Sequence, residues 1–177
     1  MLYQNKFRIE STRLKEWDYS NPWWYCVTIS TKNHYCFFGD VAKEKMNLNK
    51  LGIIAEKYWN EIPKHCQNVE IDYYVVMPNH IHGIVIINEN SRDVACNVST
   101  NKYSQISPKK NSLSAIVRSY KSAVSKHAHE NGLMDFAWQE RFYDRIIRNE
   151  KELFNIRKYI QQNPMKWELE KDQPENL

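Results

Sequence analysis

The chain has 177 residues, 42% of them hydrophobic, and a formal net charge of +4. That length suits one globular domain with a real core, and so mildly basic a charge permits nucleic acid as a partner without requiring it. No run of about 18 apolar residues exists to span a bilayer, and the opening MLYQNKFRIESTRLKEW carries no apolar stretch resembling a secretory signal, so a cytoplasmic protein with no membrane partner is expected.

Cys26, Cys36, Cys66 and Cys96 are far apart and form no CxxC pair, which supports neither a zinc ribbon nor a dithiol redox motif. In chain order, residues 24–31, WYCVTIST, alternate and are rich in β-formers, and a short aromatic strand at about 35–38 is expected after the polar KNH turn. From Asn49 the apolar residues Leu51, Ile54, Ala55, Tyr58, Trp59 and Ile62 fall at helical spacing, and Pro63 discourages continuation. A hairpin follows: VEIDYYVV at 69–76, the turn MPN at 77–79 and HIHGIVII at 80–87, with both arms apolar enough to be central strands. Residues 88–112 are polar and poorly periodic, an exposed loop within the domain. Ser112 then caps a helix whose Leu113, Ile116, Val117, Tyr120 and Val124 form one apolar stripe. Asn149 and Glu152 make a variant capping box opening a helix at 150–162, which Pro164 is expected to stop. The order β, β, α, β, β, α, α has no βαβ alternation. It argues for a single α+β domain over 1–177: a ferredoxin-like or RRM-like antiparallel sheet with helices packed mainly on one face.

Two patterns carry chemistry. His80 and His82 are separated by one residue in a strand, so both imidazoles share a face while Ile81 points away, giving a two-nitrogen chelate. His127-x-His129 is a useful contrast: its surroundings are helical, the pair lies roughly 200° apart around the axis, and it cannot grip one ion. In RKYIQQNP, Tyr159 and Asn163 sit at i and i+4, on one helix face beside the stripe of Leu153, Ile156 and Ile160. A phenol of pKa near 10 is a poor nucleophile at neutral pH. It attacks a phosphodiester usefully when a divalent cation neutralises and orients the phosphate. His80, His82 and the amide oxygen of Asn163 make a mixed N/O site that suits Mg2+ or Mn2+ and leaves positions for phosphate oxygens.

VVMPNHIHGIVII, FAWQERFYDRIIRNEKEL and IRKYIQQNPMKW together resemble the single-tyrosine HUH transposases, particularly the group associated with repetitive extragenic palindromes. RLKEWDYSNPWWYCVTIST and SLSAIVRSYKSAVSK also look like that group's opening strand and penultimate helix, so the resemblance covers nearly the whole chain. It implies that His80 and His82 bind metal, that Asn163 is the third protein ligand and that Tyr159 is the nucleophile. It further implies recognition of single-stranded DNA hairpins, a 5′-phosphotyrosine intermediate and a free 3′-hydroxyl. Apart from the resemblance, a monomer or homodimer is expected. Tyr73, Tyr74, Tyr120 and Tyr143 are competing phenols, assigned to packing or DNA contact. Trp138, Gln139, Arg141 and Phe142 match the group's WQ-x-RF signature.

Candidate phosphate contacts are Arg13 and Lys15 near the N-terminus, Lys109 and Lys110 in the loop, Arg118, Lys121 and Lys126 on one helix, and Arg141, Arg145 and Arg148 before the tyrosine helix. The aromatics of RLKEWDYSNPWW offer base stacking or packing over the sheet edge. Two rival readings use the same residues: a noncatalytic RRM-like nucleic-acid-binding module, and a relaxase or replication-initiator type nickase.

Overall fold

The structure is a computed structural model that describes residues 13–14, 16–89 and 111–171. Strand alternation sets two faces. In β1 (Trp23–Ser30), Tyr25, Val27 and Ile29 are fully buried on one side, while Trp24, Cys26 and Thr28 are half-buried on the other. With β4 (Val69–Val76), β5 (His80–Ile87) and β6 (Tyr143–Ile146), it forms a four-stranded antiparallel sheet in the order β4-β5-β1-β6. Helix α1 (Lys50–His65) joins β1 to β4 and α2 (Leu113–Glu130) joins β5 to β6. These are the two split β-α-β units of a ferredoxin-like fold.

Both crossover helices cover the face of Tyr25, Val27, Ile29, Ile81 and Val85. The α1 stripe supplies Leu51, Ala55 and Trp59; the α2 stripe supplies Ile116, Val117, Tyr120 and Val124. Helix α3 (Glu150–Lys171) crosses the opposite face, packing Leu153, Ile156 and Ile160 on Ile84, Ile86 and Ile147. The helices are thus gathered mainly on one face, with α3 the exception. Gly83 serves the crowded side: a Cβ there would sit 2.2 Å from the Trp59 ring, so only glycine lets α1 approach β5 this closely. Among the described residues no helix is long and apolar enough to cross a membrane.

Several elements differ from expectation. Residues 35–38 form no strand; a 3-10 turn at Lys32–His34 precedes them, and Phe37 and Phe38 fold onto Phe136 at ring distances of 5.2 and 5.8 Å. The second strand is instead β2 (Gly39–Ala42), paired with β3 (Lys45–Leu48) in a separate ribbon. Its turn residues Lys43 and Glu44 both take positive φ, at 53° and 59°, a conformation usually signalled by Asn-Gly. Of the hairpin arms only β5 is central. β4 is an edge, marked by exposed Glu70 and by a register shift between Ile71 and Tyr74. β6 was not anticipated, because YDRI has two charges in four residues and pairs with β1 through tertiary contact.

Neither proline ends its helix. Pro63 lies in the last turn of α1, where little ladder remains to lose. Pro164 lies well inside α3, where a missing N–H and a ring clash cost about 3 kcal/mol. Contacts made beyond it offset that cost. Trp167 packs on His80 with ring centroids 5.9 Å apart, and the Glu168 carboxylate accepts the backbone N–H groups of Lys43 and Glu44 at the β2–β3 turn.

Candidate functional site

The MPN turn is held from outside the hairpin. Thr31 donates its backbone N–H and its hydroxyl to the carbonyl of Asn79, at 2.9 and 3.0 Å, and the Phe38 N–H donates to the carbonyl of Pro78 at 3.0 Å. His80 and His82 therefore begin a fixed strand, and alternation turns both toward α3, with ring centroids 4.5 Å apart.

The hydrogen-bond network orients both rings. The Asn79 amide nitrogen donates to the His34 carbonyl at 3.0 Å, which leaves its oxygen facing His80 Nδ1 at 2.6 Å. An amide oxygen only accepts, so Nδ1 carries the hydrogen and Nε2 keeps its lone pair. That Nε2 is buried and meets no partner within hydrogen-bond distance among the described residues, the Asn163 side chain being its ring's polar neighbour. For His82, Nδ1 lies 2.8 Å from Thr28 Oγ1, its register partner on β1, and Nε2 lies 3.3 Å from the Tyr159 hydroxyl. The Thr28 hydroxyl both donates and accepts; in the tautomer with hydrogen on Nδ1, His82 donates to Thr28 and turns its one ring lone pair, on Nε2, toward Tyr159. Burial holds both rings neutral. It lowers His80 to about 4, opposed by the Asn163 side chain and aided by His34, and His82 to about 3, aided by His80.

Asn163 is buried, at 7% exposure, whereas Tyr159 is 42% exposed, so the phenol opens to solvent and the amide does not. The Tyr159 ring lies 5.2 Å from that of His82, and the Lys166 ammonium stands 4.9 Å over its face. Two neutral imidazoles, His80 with an unpartnered Nε2 and His82 with an Nε2 that meets only the Tyr159 hydroxyl among the described residues, lie beside an amide, a donor set that fits a divalent cation. Among the described residues no group of three or more His, Cys, Asp or Glu side chains is placed to hold an ion, and the Asn163 side chain is a polar neighbour of His80.

A cleft of about 720 Å³ runs from His82 and Tyr159 along the β6 side of α3 and carries Arg145, Arg148 and Lys151. Arg145 is bound to Glu152 at 2.5 Å, and Glu152 also accepts the Arg148 N–H at 2.9 Å. Arg148 and Asn149 line a second groove as well, around the first turn of α3, where Trp23 and Phe154 are 40% and 66% exposed.

The other expected contacts fall elsewhere. Arg13 bonds Asp144 at 2.6 Å and Ser114 at 2.6 Å, with its guanidinium over the rings of Tyr19 and Phe142. Lys121, whose pKa is lowered by burial, donates to the carbonyls of Gln139 and Glu140 at 2.5 and 3.2 Å. Both cations are thereby engaged inside the protein. Arg118 and Lys126 are exposed on α2, across the sheet from Tyr159, and Lys126 pairs with Glu130 at 3.8 Å. Arg141 is exposed. Lys15, Lys109 and Lys110 lie outside the described residues.

Of the signature residues, Trp138 packs among Phe38, Tyr120 and Phe136, and Gln139 meets His34 at 2.9 Å. Among the rival phenols, Tyr120 is buried, donates to the Ala55 carbonyl at 2.9 Å and has its pKa raised well above 10 by burial. Tyr74 accepts from Asn60 at 2.7 Å, and Tyr73 lies under Arg157 at 5.3 Å. Tyr143 is the exception: it is 62% exposed and lines the cleft beside Tyr159. Asn79 is read from the sequence only as part of the MPN turn, and Thr28 and Lys151 carry no signal there, since strand register and helix docking alone bring them to the site.

The chain is 38% identical over 161 residues to an uncharacterized protein of Haemophilus influenzae, a match covering 89% of each, and it belongs to the same family. No family model matches it. Its fold is that of the REP-associated tyrosine transposase solved bound to a REP hairpin: TM-score 0.59 over 90% of this chain and 74% of that one, at 19% identity.

Proposed function

We propose that this protein is a metal-dependent single-stranded DNA strand transferase with Tyr159 as its nucleophile. The observation that carries the reading is the Tyr159 hydroxyl 3.3 Å from His82 Nε2, beside the unpartnered Nε2 of His80 and the Asn163 amide. The fold shared with a transposase solved on a DNA hairpin supports it, and hairpin DNA is the proposed substrate.

Tyr159 Oη attacks the scissile phosphorus, forming a P–Oη bond as the bond to the 3′-oxygen breaks. The phenolic proton passes to solvent and the departing oxygen takes one up, leaving a 5′-phosphotyrosine and a free 3′-hydroxyl. Attack by a 3′-hydroxyl on the phosphotyrosine reverses the step and rejoins a strand. His80, His82 and Asn163 are the proposed ligands of a divalent ion, Mg2+ or Mn2+, which when bound supplies charge neutralisation and orientation of the phosphate. Asn79 holds His80 in the tautomer that this requires, and Thr28 orients the His82 ring. Arg145, Arg148 and Lys151 track the backbone away from the tyrosine.

The test is incubation with labelled single-stranded hairpins and Mn2+, followed by denaturing electrophoresis and peptide mapping. A covalent adduct at Tyr159, absent from Tyr159→Phe, is expected. Hairpins retained but never broken would identify a noncatalytic binding module, and an adduct at Tyr143 would overturn the assignment of the nucleophile.

A further inference from the structure

The segment of α3 beyond Pro164 carries three side chains with separate anchors. Lys166 stands over the Tyr159 ring, Trp167 packs on His80, and Glu168 holds the β2–β3 turn through the Lys43 and Glu44 amides. Tyr159, Asn163 and Trp167 follow at i, i+4 and i+8, so one face of α3 presents a phenol, an amide and an indole in line. The Trp167 Nε1 hydrogen is buried and has no acceptor among the described residues. A buried N–H left unpaired costs about 1–3 kcal/mol, which makes such a donor uncommon without a partner supplied from outside.

Trp59 Nε1 is also without an acceptor, but its surroundings differ. Its ring neighbours are Tyr74 and Tyr120, and it closes over Gly83 in the hydrophobic core. Trp167 instead touches a histidine whose own Nε2 is buried and unpartnered. An unused donor and an unused lone pair thus sit in one ring contact, at the end of the helix face that bears Tyr159. Glu168, one residue on, fixes the indole by tying its turn of helix to the β2–β3 ribbon.

We propose that Trp167 is a further binding residue of this site, its indole N–H donating to a non-bridging oxygen of the phosphodiester presented to Tyr159. The proposal rests on the strand-transferase reading. The indole supplies a donor without charge, and the substrate oxygen supplies the acceptor that the described residues do not.

The test uses Tyr159→Phe protein, so that the strand stays intact, and measures affinity for a labelled hairpin with a single-stranded flank in Mn2+ at fixed salt. Adding Trp167→Phe keeps a ring and removes the donor; adding Trp167→Gln keeps an N–H and packs worse. Loss of one hydrogen bond to a charged oxygen predicts a roughly ten- to hundred-fold weaker complex for the Phe change. Affinity for Mn2+ without DNA, by calorimetry, should move little. Trp167→Gln should bind DNA better than Trp167→Phe, although packing alone predicts the reverse. Equal binding by parent and Trp167→Phe, or Gln no better than Phe, overturns the proposal. If the parent takes up no Mn2+ and holds no hairpin, the strand-transferase reading fails and Trp167 falls with it.

Discussion

The Tyr159 hydroxyl lies 3.3 Å from His82 Nε2, the nitrogen that a divalent ion would also use. With the His82 hydrogen on Nδ1, the phenol donates in the free protein to the lone pair that the proposed ion would use. The two uses exclude one another. Tyr159→Phe removes the competing hydrogen bond, and since a bond this long contributes no more than about 1 kcal/mol, Mn2+ affinity by calorimetry should stay equal or rise up to about fivefold. A tenfold loss of affinity would instead make the phenol a ligand and undo the proposal that it is the nucleophile.

Thr28 is the only protein group described as holding His82 Nδ1, at 2.8 Å. Thr28→Val preserves the β-branched shape in β1 and removes the hydroxyl, leaving that nitrogen unpaired in a buried place. Orienting groups of this kind typically contribute 10- to 100-fold to ion affinity. A fall of about tenfold in Mn2+ affinity is expected, with β1 still paired by circular dichroism. Unchanged affinity would mean that the His82 ring is fixed by packing alone.

The cations that line the cleft and those on α2 lie on opposite sides of the sheet, so salt dependence can separate them. Arg148→Ala and Lys151→Ala should each reduce the slope of log affinity for single-stranded DNA against log salt by about 0.7. Arg118→Ala and Lys126→Ala should leave it unchanged. A slope lowered by the α2 changes would route the strand across the helical face instead.

Much of this arrangement is legible in the sequence because local period and local chemistry agree. HIHGIVII reads as a strand whose alternate residues share a face, and the turn Met77–Asn79 bounds it, so the histidine pair follows without tertiary knowledge. Tyr159 and Asn163 follow from helical spacing in the same way. What escapes is set by contacts distant in sequence. YDRI becomes β6 only by pairing with β1, and α3 passes Pro164 because Trp167 and Glu168 find His80 and the β2–β3 turn. Charge alone does not show that Arg13 bonds Asp144 or that Lys121 bonds the Gln139 carbonyl, since both contacts join residues distant in sequence.

Glu152 gives the start of α3 a dependence on acid. Its carboxylate accepts the Arg148 N–H at 2.9 Å and the Arg145 guanidinium at 2.5 Å, while the Asn149 side chain accepts the Glu152 N–H at 2.9 Å. The Arg148 N–H is the leading cause that holds the Glu152 carboxyl below its ordinary value; slight burial opposes it, and Arg145 adds to it. Because the folded pKa lies below the unfolded one, this stabilisation is fully present above the ordinary carboxylate pKa and is lost as pH falls through the folded value. An exposed cap of this kind contributes about 1 kcal/mol or less. Glu152→Gln should therefore melt a few degrees below the native protein at pH 7, and the difference should close toward pH 3. Thermal unfolding at the two pH values measures it. A difference that persists unchanged in acid would assign the effect to packing of the side chain and not to its charge.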